Sequence, residues 1–141
     1  MGLFGKSKSP FNITKIESGY ELSRSEIISL RETQGFEIEN GYSLKAKMKC
    51  SDVSEFVLEN EFDTNGRVSK CELYVWYKSD LDKITSIAER YGRKAKYTIV
   101  ENGQSYVWDG WKLSNGEIMS DWLGMSGGYK SKIFPVSKIE K

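Results

Sequence analysis

Acid–base chemistry in this chain falls to its carboxylates, because its 141 residues include no histidine. That removes the Ser-His and Cys-His nucleophile systems, the usual base near neutral pH, and the commonest metal ligand. Two cysteines, Cys50 and Cys71, cannot make a zinc site alone. Isolated in a domain of this size, they read as small buried hydrophobes rather than a disulfide framework. Among the carboxylates, Asp109 and Asp121 come close in the C-terminal strands, but the turn registers send them to opposite faces, so they cannot form an acid–base pair. Asp121 then lies on the core face and needs a hydroxyl, the backbone or Lys112 as partner, since an unpaired buried charge is costly. Glu55, Glu59 and Glu61 alternate along one strand as a solvated stripe; a cation site would need a loop converging on them. The stretch Gly2 to Ser7 ends like a phosphate-binding loop but lacks the first glycine's spacing and a preceding strand. Gly124 to Gly128 is explained by a hairpin loop. No catalytic, metal-ligating or cofactor-binding set emerges.

Recognition chemistry is more visible. Three tight turns, Asn102-Gly103, Asn115-Gly116 and Ser126-Gly127-Gly128, set the face on which each neighbouring side chain lies. Two-residue turns at the first two and a three-residue loop at the third place Tyr97, Ile99, Tyr106, Trp108, Met119, Leu123, Met125, Tyr129 and Ile133 on the core face. The other face then collects Trp111 and Trp122, with Asp109, Lys130 and Lys132 nearby. A flat aromatic surface with adjacent cations can anchor a protein partner or stack on a base or a sugar. The competing expectation is that the N-terminal hairpin or a second subunit covers the two indoles as further core.

Positioning these residues requires a sheet and its helices. Ser23 to Glu26 has the spacing of a capping box and opens a helix that Gly35 stops. Phe36, Ile38, Tyr42, Leu44, Ala46 and Met48 share one face of a hairpin if residues 39–41 form its loop; Glu37 and Glu39 then meet Lys45 and Lys47 on the other. A second hairpin, Phe56–Phe62 and Val68–Tyr77, is apolar on both faces, as expected of central strands. Pairing of the Tyr42 strand with Phe56–Phe62 would separate the two cysteines too widely to bond. Asp80–Tyr91 reads as a helix with Ser79 as N-cap and Gly92 as its stop, burying a stripe through Leu81, Ile84, Ile87, Ala88 and Tyr91.

These elements predict an α+β fold: an antiparallel meander with one or two helices on one face, in a single domain over 11–141 behind a mobile basic leader, 1–10. With 21 basic and 20 acidic residues the net charge is +1, which argues against nucleic acid as the partner. No stretch has the length and apolarity of a membrane span or a signal peptide, so the expected location is cytoplasmic. The function expected is a non-enzymatic interaction domain that binds a protein partner, or itself as a homodimer, through Trp111 and Trp122. The alternatives are a small-ligand or carboxylate-based enzymatic cleft bordered by Asp109, Tyr106 or Trp76, and a stacking-type binder of carbohydrate or single-stranded nucleic acid.

Overall fold

The computed structural model describes residues 8–140, and its first helix, α1 (Arg24–Thr33), starts at the capping box that the sequence predicts: Ser23 accepts from the Glu26 backbone while the Glu26 carboxylate accepts from that of Ser23. Gly35, at φ +92°, ends it. The second helix, α2, spans Lys78–Ala88. It begins earlier than expected, because Asp80 is drawn inward: its Oδ1 accepts the Ser54 N–H at 2.9 Å and Tyr77 takes the N-cap position.

Among the described residues nine strands join the helices: β1 (Glu37–Asn40), β2 (Leu44–Met48), β3 (Phe56–Phe62), β4 (Val68–Val75), β5 (Ala95–Glu101), β6 (Gln104–Lys112), β7 (Ile118–Ser120), β8 (Leu123–Met125) and β9 (Gly128–Phe134). All pair antiparallel in the order β1-β2-β3-β4-β9-β7-β6-β5, with β8 added to β9. The fold is α+β, as expected. Both helices cover one face. There α2, the N-terminal segment through Phe11, Ile13 and Ile16, and the inward residues of β2, β3, β4, β7 and β9 form the main core, while Ile27 of α1 packs with Leu44 and Val68. On the opposite face of the C-terminal strands a third cluster joins Ile99, Ile118 and Phe134 to Tyr97, Trp108 and Ile139. Residues 1–7, which carry most of the expected leader and the whole Gly2–Ser7 loop, lie outside the described residues. Pro10 and its neighbours from Lys8 are exposed, and Ser9 accepts a backbone hydrogen bond from Ser51.

Four registers differ from expectation. Asn102-Gly103 forms the expected two-residue turn with both residues left-handed (φ 51° and 74°), so Ile99 faces Tyr106 and Tyr97 faces Trp108. At Asn115-Gly116 only the glycine is left-handed. Asn115 instead accepts the Glu117 N–H on its side chain, and the loop widens to three residues closed by Leu113 and Glu117. Trp111 therefore faces Met119 and Lys112 faces Ile118, one residue away from the expected pairing. The third turn tightens to Ser126-Gly127, pairing Met125 with Gly128. In the first hairpin the loop moves to 41–43, held by Arg24, which donates to the Gly41 and Tyr42 carbonyls. That shift is even-numbered, so Phe36, Ile38, Leu44, Ala46 and Met48 keep their common face, while Tyr42 stands in solvent at the tip. In the second hairpin a bulge between the Glu61 and Phe62 pairings flips β4, so Tyr74 lies across from Val57 rather than sharing a face with Leu58.

Candidate interaction surface

Two of these registers decide where the expected anchor tryptophans go: the widened loop at Asn115 turns Trp111 over, and the tightened Ser126-Gly127 turn does the same to Trp122. Trp111 is 3% exposed and belongs to the cluster that contains Ile84, Ile87 and Ala88 of α2; its Nε1 lies 3.4 Å from the Glu89 carboxylate. The Trp122 Nε1–H donates to Thr85 Oγ1 at 2.8 Å, again on α2. The outward placement of both indoles is thus corrected: the helix covers them. Lys130 and Lys132 sit on the opposite face of the sheet, because β9 buries Ile133 on the helix side. Asp109 is exposed and paired with Lys96 at 3.0 Å. Asp121 bonds Lys94 at 3.0 Å and the Trp122 N–H, not Lys112. The backbones of these two aspartates are adjacent, but each side chain is held by its own lysine. The five residues do not form one site.

The face opposite the helices brings a different set together. Residues paired across neighbouring strands share a face, and the pairings trace two rows. One runs Glu37, Lys47, Val57, Tyr74, Lys130, Leu123; the next runs Glu39, Lys45, Glu59, Glu72, Lys132. Its charges are both signs interleaved. Lys47 bridges to Glu39 at 3.0 Å, and Lys70 lies 3.3 Å from Glu61 and 3.6 Å from Glu72.

Glu72 is the buried carboxylate of this face, 3% exposed at its side chain. Its Oε1 accepts the Tyr74 hydroxyl at 2.8 Å; its Oε2 has Lys130 Nζ at 3.3 Å, an ion-pair distance without hydrogen-bond alignment. Burial alone would raise its pKa, but the Tyr74 hydroxyl and the two lysine charges outweigh it and hold the carboxyl below the usual range. Burial, the hydrogen bond to Glu72 and the Glu72 and Glu59 charges push the Tyr74 phenol well above its ordinary value. At neutral pH the pair is carboxylate plus phenol, with neither group poised to exchange a proton. Because the folded pKa of Glu72 is depressed, its stabilisation is complete above the unfolded value, about 4.3, and is lost as pH falls through the folded value. Urea unfolding followed from pH 6 down to pH 2 should show stability falling in acid. Glu72→Gln should flatten part of that fall; an unchanged acid limb would remove Glu72 as a contributor.

Beside this network a groove of about 420 Å³ opens, with Val57, Tyr74 and Trp76 in its lining and Lys45, Glu55 and Glu59 among its charged residues. Trp76 follows the end of β4 and is 44% exposed. Gly128 permits this arrangement: a Cβ there would stand 2.7 Å from the Val75 carbonyl oxygen and 3.4 Å from the Trp76 Cα, so any side chain would force β4 and β9 apart. Across Gly128 sits Met125, 45% exposed, with Leu123 on the same face at 37%. Among the described residues, no group of three His, Cys, Asp or Glu side chains is placed to hold a metal ion, and no helix is long and apolar enough to cross a membrane.

Comparison with protein-family models, with curated proteins and with solved structures finds no match for the chain. The candidate site therefore stands on its own geometry. From the sequence alone Trp76 stands only at the border of a cleft, and the Glu55–Glu59–Glu61 stripe and the Glu/Lys ladder read as plain surface. The signal that could have joined them is the apolar residue on both parities of Val68–Tyr77, once a bulge is allowed in that strand.

Proposed function

We propose that this chain is a non-enzymatic protein-interaction domain that uses the open sheet face, with Trp76 as its anchor, to hold a segment of a partner protein. The supporting observation is the exposure of Trp76, Leu123 and Met125 on one face beside a groove walled by both charge signs. Large apolar side chains gathered this way are uncommon on a surface without a binding role, and tryptophan leads the residue types that dominate interface energies. The interleaved charges suit a partner segment that carries an apolar side chain between residues of opposite charge, and they disfavour a polyanion. The proton states of Glu72 and Tyr74 support recognition rather than acid–base catalysis. A cytoplasmic location belongs to the same proposal, and the two buried free thiols are compatible with a reducing compartment.

Selection of peptides from a random display library on the immobilised chain tests this reading. Enriched peptides should share an apolar residue flanked by both charge signs. Trp76→Ala should weaken them by about 30-fold, a loss typical of an interface anchor, with an unchanged circular dichroism spectrum. Binders indifferent to Trp76→Ala would overturn the proposal. Light scattering that shows a dimer dissolved by the same substitution would assign the face to a second copy of the chain instead.

A further inference from the structure

A second groove, of about 510 Å³, lies between the N-terminal segment and α2, on the helix side of the molecule. Its floor is apolar, formed by Phe11, Ile13 and Ile87, all buried. Its walls carry three cations. Lys15 closes a short 3-10 turn fixed by Asn12, whose side chain accepts the Thr14 N–H at 3.0 Å; Lys83 lies on α2 and Arg90 just beyond its end.

Among the described residues, the one carboxylate lining this groove is Asp52, and its charge is already engaged. Its Oδ1 accepts the Phe11 N–H at 2.7 Å and its Oδ2 lies 3.9 Å from Lys83 Nζ. Among the described residues, no carboxylate stands within ion-pair distance of Lys15 or Arg90. A cation at the end of α2 suits the helix dipole, so Arg90 alone signals nothing. Lys15, on a separate element across the groove, has no such reason to be there. The local excess of positive charge also stands out in a chain whose net charge is only +1.

We propose that this groove binds an extended acidic peptide segment of a partner protein. The spacing of the cations favours a chain over a single small anion. Lys83 and Arg90 are seven positions apart, about 10 Å if the helical rise of α2 is carried the two residues past its end. One phosphate cannot span that distance, whereas acidic side chains at i and i+3 of a polyproline-type segment recur on one side about every 9 Å. An apolar side chain between them would rest on Phe11 and Ile87. This surface is separate from the Trp76 face and does not depend on the function proposed for it.

The test uses the whole chain and a fluorescein-labelled peptide with glutamates at i, i+3 and i+6 and leucines between them, read by anisotropy. The Lys15→Glu/Arg90→Glu double substitution should weaken binding by about tenfold or more, and affinity should fall steeply as salt is raised from about 50 to 200 mM. Trp76→Ala should leave this binding unchanged, which separates the two surfaces. Arg90→Gln, at an exposed position, provides a milder variant whose fold is secure if the double variant is not. Unchanged affinity in the charge variants, no binding at millimolar peptide, loss of binding in Trp76→Ala, or full displacement by millimolar inorganic phosphate would each overturn the proposal.

Discussion

Trp111→Ala should cost about 3–5 kcal/mol of folding stability, the range for deleting a buried tryptophan side chain. A ring at 3% exposure, set among the inward residues of β7, β9 and α2, leaves a void that a sheet and a helix can only partly collapse around. A domain typically has only about 5–15 kcal/mol in total, so the loss is about a fifth of it or more. Trp122 is only partly buried, and its alanine variant should cost less. Trp122→Phe keeps most of the ring but leaves Thr85 without its indole donor, a loss of about 1 kcal/mol. Urea unfolding of the three variants checks the order. An unchanged midpoint for Trp111→Ala would return that ring to the surface and restore the face the sequence suggested for it.

What the sequence made legible depended on whether one local choice carried a result. The capping box at Ser23 and the two-residue turn at Asn102-Gly103 are each specified by residues within four positions, and both appear. The α+β class follows from such elements and does not need their registers. Face assignment does. Because side chains alternate, one residue of slip turns a whole strand over. Asn115-Gly116 and Asn102-Gly103 are the same dipeptide, yet Asn115 bonds Glu117 with its side chain and the turn gains a residue. Glu117 is also tied to the N-terminal segment, its carboxylate accepting from the Ser18 backbone at 2.8 Å and from the Ser18 hydroxyl. That long-range contact, 99 residues apart in sequence, reaches well beyond any turn rule. The candidate surface was hidden for a related reason: the bulge near Glu61 turns Tyr74 and Trp76 toward the open side while Val75 stays in the core, and no single residue in Val68–Val75 announces it.

Arg31 is the second position where a large effect is expected, and there the choice of substitution matters more than the position. Its side chain is fully buried, and its Nη2 donates to the Glu17 carbonyl at 2.7 Å and to Asn60 Oδ1 at 3.0 Å. Those bonds clamp α1 to the N-terminal segment and to β3, while Nε and Nη1 have no hydrogen-bond partner among the described residues. Burial lowers the guanidinium pKa, and nothing nearby fully offsets it: the Cys71 thiol is itself pushed up to about 12 by burial and is neutral at pH 7. The buried cation therefore carries a desolvation cost without a carboxylate in contact. Arg31→Ala removes that cost but opens a large void and orphans the Glu17 and Asn60 acceptors, so it should lose about 3–5 kcal/mol. Arg31→Met fills the volume and buries no charge, and apolar replacements of buried ionic groups are often neutral. It should retain at least about 2 kcal/mol more stability than alanine, measured as the difference in urea unfolding free energy at pH 7. If methionine proves as damaging as alanine, the clamp to Glu17 and Asn60, rather than the filled volume, holds α1 in place.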